Sequence, residues 1–135
     1  MPGLSRDTAE VTDHGIVEDR HGEIDGYVIN FVTFRTTVDN APLLKGLPDD
    51  KCHCPHWGYV VEGEIGWVVN GVEENYKAGD AFYVRGAHTQ TAIAGSEMVQ
   101  FSPADELAET EAVMQKNMQA MMGDRDAHRE APISP

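Results

Sequence analysis

Residues 57 to 101 read WGYVVEGEIGWVVNGVEENYKAGDAFYVRGAHTQTAIAGSEMVQF. Short runs of apolar, aromatic and β-branched residues recur along this stretch, which is typical of β-strands. Turn-forming residues separate the runs, and Asn70-Gly71 is the strongest two-residue signal for a hairpin. We therefore predict strands at 57–62, 65–69, 72–76, 81–84, 88–93 and 97–101. Short strands at this spacing indicate a β-sandwich or a β-barrel.

The flanking segments complete a single domain in the 135 residues. A further aromatic and β-branched run at 27–34 also predicts a strand, so the barrel is expected over residues 26–102. Residues 1–25 are polar and weakly patterned, and we expect a loose N-terminal arm with one short strand near 15–18. A helix start signal at Ser102, Pro103 and Asp105 and a stop at Gly123 predict a C-terminal helix over 103–123. Residues 124–135 carry no periodicity and are predicted to form a disordered tail.

The charge of the chain narrows its range of partners. With 23 acidic residues against 10 basic ones, the formal net charge is -13, which disfavours binding to nucleic acid or to anionic lipid. No run approaches the roughly 20 apolar residues of a membrane span, and the N-terminus lacks the apolar segment of a signal peptide. We expect a cytoplasmic protein whose partner is a metal cation or a small molecule, with no nucleic acid and no membrane.

A cluster of metal-ligating residue types precedes the strands, in the segment Cys52-His53-Cys54-Pro55-His56. Its two cysteines are the only ones in the chain. Two positions apart in an extended strand they lie about 6.5–7 Å from each other, at the limit of disulfide geometry. In a reduced cytosol they are more plausibly free thiols or metal ligands.

Residues downstream of this segment continue a family pattern, namely Gly58-Tyr59-Val60-Val61-Glu62-Gly63-Glu64, then Gly79-Asp80 with an apolar strand and His88. This succession resembles the two motifs of the cupin superfamily over roughly residues 50–95. More narrowly, it is similar to small single-domain bacterial cupins whose first motif reads Cys-x-Cys-Pro-His-Trp-Gly-Tyr. The resemblance implies an all-β fold, a small cupin (jelly-roll) barrel with a C-terminal α-helix, and a homodimer. It selects no reaction, because cupins include dioxygenases, isomerases, lyases, binding proteins and storage proteins.

The usual metal ligands of that superfamily, three histidines and one glutamate, are not all in place. When the motifs are aligned on their glycines, the four ligand positions fall on Asp50, Cys52, His56 and Gln90. The resemblance therefore implies the barrel and not the standard metal site.

A substitute ligand set is available nearby. If residues 52–56 are extended, Cys52, Cys54 and His56 project from one face, and in a cupin barrel the strand of His88 lies beside them. We predict that these four residues hold a metal, although three ligands within five residues are crowded and one cysteine can point away. Thiolate and imidazole suit Zn²⁺ best, with Fe, Ni, Mn and Cu as alternatives. The pocket for an organic ligand is predicted to include Gln90, Tyr83 and Trp67, with core packing as the alternative for the two aromatic residues.

Three functions stay open at this point. The first is a small cupin with a metal site in the barrel that binds or transforms a small organic molecule, the catalytic residues being unknown. The second is a metal-free ligand-binding or sensor cupin without catalysis. The third is a structural dimer that has lost its activity.

Overall fold

The computed structural model describes the chain over residues 3–130, with side chains described as far as residue 121. Within this range the chain forms ten β-strands followed by one long α-helix. The strands are β1 (Glu10–Asp13), β2 (Val17–Ile24), β3 (Tyr27–Phe34), β4 (Val38–Asp39), β5 (His56–Glu62), β6 (Glu64–Val69), β7 (Val72–Lys77), β8 (Ala81–Val84), β9 (His88–Ala92) and β10 (Glu97–Pro103). The predicted strands from residue 57 onward are therefore confirmed to within two residues at each end, β10 extending furthest.

Two antiparallel sheets face each other across the core. One sheet has the strand order β1-β2-β3-β10-β5-β8, and the other has the order β4-β9-β6-β7. Alternate residues of each strand point inward, and they pack into one apolar cluster between the sheets. Its fully buried members are Val32, Phe34, Val60, Ile65, Trp67, Phe82, Val84, Ala92 and Met98. This is the jelly-roll barrel expected from the sequence.

The N-terminal segment is ordered and extends the larger sheet. Strands β1 and β2 form a hairpin, and β2 pairs with β3 along its whole length, from Val17 opposite Phe34 to Ile24 opposite Tyr27. This corrects the expectation of a loose arm over residues 1–25. Polar composition hid these strands, because β1 lies at the sheet edge and the inner face of β2 lines a cavity rather than the apolar core.

The helix α1 (Ala104–Glu130) continues past the predicted stop at Gly123. A glycine costs only about 1 kcal/mol inside a helix, so it does not by itself end one. Of the predicted tail 124–135, residues 131–135 lie outside the described residues. Ser102 does not act as the predicted helix cap, because it belongs to β10 and its hydroxyl contacts a histidine. No helix among the described residues is both long and apolar enough to span a membrane.

The first part of α1 closes one end of the barrel. Leu107 packs with Leu44, Cys52 and Cys54 in a second apolar cluster. The Asn117 amide also donates to the carbonyl oxygens of Leu43 and Lys45, at 2.7 and 2.8 Å. The helix thereby fixes the segment that carries the cysteines.

Candidate metal centre and cavity

A cavity of about 470 Å³ opens between the two sheets at the end of the barrel that α1 covers. This volume falls in the range of ordinary small-molecule sites. The lining combines residues of the larger sheet, the smaller sheet and the helix. The polar ones include Asp19, Asn30, Cys52, His56, His88, Gln90, Gln100, Thr110 and Glu111.

Three of the four predicted metal ligands meet at the base of this cavity. A donor atom from each of Cys52, His56 and His88 lies within 4.8 Å of the other two, and all three residues are buried. The two histidines begin β5 and β9, which belong to different sheets. Cys52 reaches them because its backbone pairs with that of His88 in an isolated antiparallel bridge. The group thus joins the two sheets.

A hydrogen bond to the backbone fixes the orientation of the His88 ring. Its Nδ1 lies 2.7 Å from the carbonyl oxygen of Arg85, and a carbonyl can only accept, so Nδ1 carries the proton. The lone pair is then on Nε2, which is buried without a hydrogen-bond partner among the described residues. The pKa of His88 is lowered, chiefly by burial, which keeps the ring neutral. A neutral imidazole with a free, buried Nε2 is the form that binds a metal.

His56 is held in a similar way. Its Nδ1 lies 2.7 Å from the hydroxyl oxygen of Ser102, and its Nε2 faces the Sγ of Cys52 at 3.7 Å. Burial, with a smaller contribution from His88, lowers the pKa of His56 to about 3. Its ring therefore stays neutral at any ordinary pH. The T-shaped contact between the two imidazoles, with centroids 4.9 Å apart, brings both rings to one point.

The two cysteines have different surroundings. Cys52 Sγ lies 3.4 Å from the hydroxyl oxygen of Thr110 on α1, and burial raises the pKa of its thiol. Cys54 is also buried, but its Sγ lies near the carbonyl oxygens of Pro55 and Pro103, away from the group of three. Burial, and then the nearby Cys52, raises the pKa of Cys54 to about 12. The extended alternation assumed for 52–56 does not hold, because residues 53–55 are irregular and β5 begins only at His56.

The predicted ligand-pocket residues divide between two locations. Trp67 and Gln90 line the cavity. The ring of Trp67 lies 5.0 Å from that of His88, and its Nε1 has no partner among the described residues. Tyr83 instead lies on the outer face of β8, 53% exposed and 4.9 Å from the ring of Trp57. Tyr83 therefore lies outside this cavity, since Phe82 and Val84 take the inward positions of β8, but it lines a separate pocket together with Trp67.

Several cavity residues were not anticipated from the sequence. They are Asp19, Asn30, Gln100, Thr110 and Glu111. Asn30 and Gln100 interrupt the inward apolar positions of β3 and β10, where they lie directly opposite each other. A polar residue at a core-facing position of a strand is the signal that points to them. Asp50, which occupies a ligand position of the cupin motif, is exposed and accepts a hydrogen bond from the backbone N–H of Gly46.

Solved structures resemble this chain in fold. An RmlC-like cupin from Shewanella frigidimarina matches with a TM-score of 0.55 and 23% identity, over 75% of this chain and 89% of that one. The polyketide cyclase RemF from Streptomyces resistomycificus matches with a TM-score of 0.54 and 15% identity, over 77% and 80% of the two chains. An Fe(II) form of HppE matches with a TM-score of 0.55 and 13% identity, over 76% and 60%. Comparison with protein-family models gives no match, and comparison with curated proteins gives none either.

At these identities the likeness concerns the fold alone. The chain has a cupin-type jelly-roll fold, with a group of one thiol and two imidazoles at the base of its cavity. The proteins that share this fold include an iron-containing one and a cyclase.

Proposed function

We propose that this protein is a metal-dependent cupin that binds or transforms a small organic molecule at a divalent cation held by Cys52, His56 and His88. The observation that carries the proposal is the buried, unpartnered Nε2 of His88, fixed toward Cys52 and His56 by the bond from Nδ1 to Arg85. A buried acceptor without a partner costs free energy, and a metal ion supplies the missing partner. The bond from Nδ1 to a carbonyl is the usual support of a metal-binding histidine.

The spacing of Cys52 and His56 is close to that of two ligands of one tetrahedral ion. Zn–S and Zn–N bonds of about 2.3 and 2.0 Å place a sulfur and a nitrogen ligand roughly 3.5 Å apart. The 3.7 Å between Cys52 Sγ and His56 Nε2 is near this value, and all three donors lie within 4.8 Å of one another. Three protein ligands leave the fourth position to water or substrate, on the side of the cavity.

Each ligand is in, or can reach, its metal-binding form. Burial keeps both imidazoles neutral. The raised pKa of Cys52 means that its thiol holds a proton until a cation displaces it, so uptake of metal should release a proton. The Thr110 hydroxyl, 3.4 Å from this sulfur, can then donate to the thiolate.

We propose Zn²⁺ as the metal, since thiolate with imidazole is a common zinc ligand set. Bound there, Zn²⁺ would supply Lewis-acid chemistry to a molecule in the cavity. We further infer that Cys52 and His56 take the place of the first cupin motif, and that Gln90 orients the bound molecule. Copper is the second candidate, because two histidines and one cysteine are also the ligands of blue-copper sites.

Metal analysis of untagged protein, purified without chelator, tests the proposal. We expect about one equivalent of metal by mass spectrometry, and Cys52→Ser or His88→Ala should weaken zinc binding at least about 100-fold, because ligands matter more than their supporting contacts. The chain supplies matched controls in Cys54→Ser and His53→Ala, which should retain the metal. Protein without metal after growth in metal-replete medium, or equal losses in the control variants, would overturn it. Intense visible absorption of the isolated protein would assign copper rather than zinc.

A further inference from the structure

A second group of polar side chains lines the same cavity beyond the three metal-binding candidates. Asp19 of β2, Asn30 of β3 and Gln100 of β10 occupy inward positions of the larger sheet, and Glu111 of α1 stands at the mouth. Asn30 and Gln100 are opposite each other in register. We call these four residues the acceptor wall, because each presents oxygen atoms to the cavity.

The hydrogen bonds within the acceptor wall leave acceptors unused. Asn30 Nδ2 donates to both carboxylate oxygens of Asp19, at 3.0 and 3.1 Å. This fixes the amide, so that its Oδ1 is buried without a partner among the described residues. Gln100 Oε1 is likewise without a described partner. Asn30 and Gln100 are only 4% and 9% exposed, so both oxygens would be stabilised by a hydrogen-bond donor within the cavity.

The charge of the cavity lining selects the kind of donor. It includes the carboxyl groups of Asp19 and Glu111 but no lysine or arginine among the described residues. Burial raises the pKa of Asp19 despite the hydrogen bonds from Asn30. Burial, and then the charge of Asp19, raises the pKa of Glu111. His14 and His21 also line the cavity and act against the effect of burial on the pKa of Asp19, but more weakly than burial does. Both carboxyl groups therefore lack a lysine or arginine partner in this lining, which favours a cationic ligand over an anionic one.

We propose that the acceptor wall binds the ammonium group of a small aliphatic amine, whose remaining part extends toward Cys52, His56 and His88. An ammonium group supplies three N–H donors and one positive charge, which matches the orphan oxygens and the carboxylate of Asp19. A hard divalent cation fits less well, since it takes six or more oxygen ligands, whereas the buried or half-buried side chains of Asp19, Asn30 and Gln100 together offer four oxygen atoms. The substrate class rests on the proposed metal function, but recognition of the amine does not require the metal.

Binding of three probes of equal length tests this inference: n-butylamine, n-butanol and butyrate, each titrated into metal-free protein in EDTA and followed by NMR. We expect n-butylamine to bind at least about 10-fold more tightly than n-butanol, and butyrate more weakly than either. Asp19→Asn should abolish the preference for the amine over the alcohol. Gln100→Met should weaken n-butylamine about 3- to 10-fold, equivalent to the loss of one hydrogen bond of about 1 kcal/mol.

Asp105→Asn is the matched control, because it removes one negative charge from an exposed residue of α1 that does not line the cavity. It should leave all three affinities unchanged. Equal affinities for amine and alcohol, tighter binding of butyrate, or an amine preference that survives Asp19→Asn would each overturn the inference. These titrations contain no metal, so their outcome does not depend on the metal analysis. Protein that is isolated without metal but still selects the amine would overturn the metal proposal alone.

Discussion

The two ends of the barrel interior are built from the same strands but have opposite chemistry. The inward positions of β5 change from His56 to Val60, and those of β9 change from His88 to Ala92. On β10, which runs antiparallel to β5, the order is reversed, and Met98 precedes Ser102. We call the end that carries His56, His88 and Ser102 the polar end, and the end that carries Val60, Ala92 and Met98 the apolar end.

Burial does not distinguish these two ends. His88 is 1% exposed and Met98 is 2% exposed. They differ in how well their groups are satisfied, because Val60, Ala92 and Met98 bury hydrocarbon in the core cluster, while at the polar end His88 Nε2 is buried without a partner among the described residues. Buried polar groups without partners lower stability. The comparison therefore indicates that the apolar end stabilises the barrel, and it supports the proposal that the polar end binds a ligand.

The largest change in stability should come from a substitution that creates a cavity at the apolar end. Ile65→Ala removes a fully buried side chain and is expected to lower the free energy of unfolding by about 2–5 kcal/mol. Urea denaturation of the metal-free protein measures the loss. Val72→Ala, at a side chain 62% exposed on β7, is the control and should cost less than about 1 kcal/mol. Similar losses in both variants would mean that the apolar end is not the stabilising one.

At the polar end, replacing a polar side chain with hydrocarbon is expected to leave the free energy of unfolding unchanged or to raise it. Gln100→Leu replaces a buried amide, whose Oε1 has no partner among the described residues, with hydrocarbon, so the metal-free protein should be unchanged or more stable by about 1–2 kcal/mol. Ser102→Ala, on the same strand, removes a bond of 2.7 Å to His56 and should cost about 1 kcal/mol. Thermal unfolding in EDTA distinguishes the two. A loss of stability in Gln100→Leu would show that the Gln100 amide stabilises the fold. It would contradict the view that the apolar end alone has this role.

The apolar end could be predicted from the sequence more fully than the polar end. Alternation of apolar residues and turn signals such as Asn70-Gly71 are local, and they define the strands from 57 to 101 without knowledge of the rest of the chain. The predicted short strand near 15–18 overlaps only the start of β2, and β1 was not predicted, because the pairing of β1 with β2 and of β2 with β3 is set by tertiary contacts. Their side chains are mostly polar, and such a segment reads as a loop when it is considered alone.

The candidate site depends on contacts that sequence spacing does not specify. The approach of Cys52 to His88 follows from a backbone bridge between residues 36 positions apart, and Cys54 turns away where the chain is irregular. Thr110 reaches the sulfur only because α1 folds back over the barrel end. Spacing could identify the residue types of a metal site. It could not select which cysteine faces the histidines.

The smallest expected effect concerns the pH dependence that Asp19 adds to stability. The pKa of Asp19 is raised by burial, and the groups that face it are Asn30, His21, His14 and Glu111. A carboxyl whose pKa is higher in the folded state contributes stability below its unfolded pKa, and this contribution is lost as the pH rises through the folded pKa. Ionised Asp19 thus opposes folding near neutral pH and ceases to do so in acid.

Removing the Asp19 carboxyl separates its contribution to the pH dependence of stability from that of the other titrating groups. Asp19→Asn should stabilise the metal-free protein relative to wild type most at pH values above the folded pKa of Asp19, and the advantage should shrink as the pH falls through that raised pKa. Urea denaturation at each pH measures this difference, with Asp105→Asn measured alongside as the variant that removes a charge outside the cavity. An advantage of Asp19→Asn that grows on acidification would have the wrong sign. It would mean that the bonds from Asn30 outweigh burial, and that the acceptor wall already satisfies its charge without a bound cation.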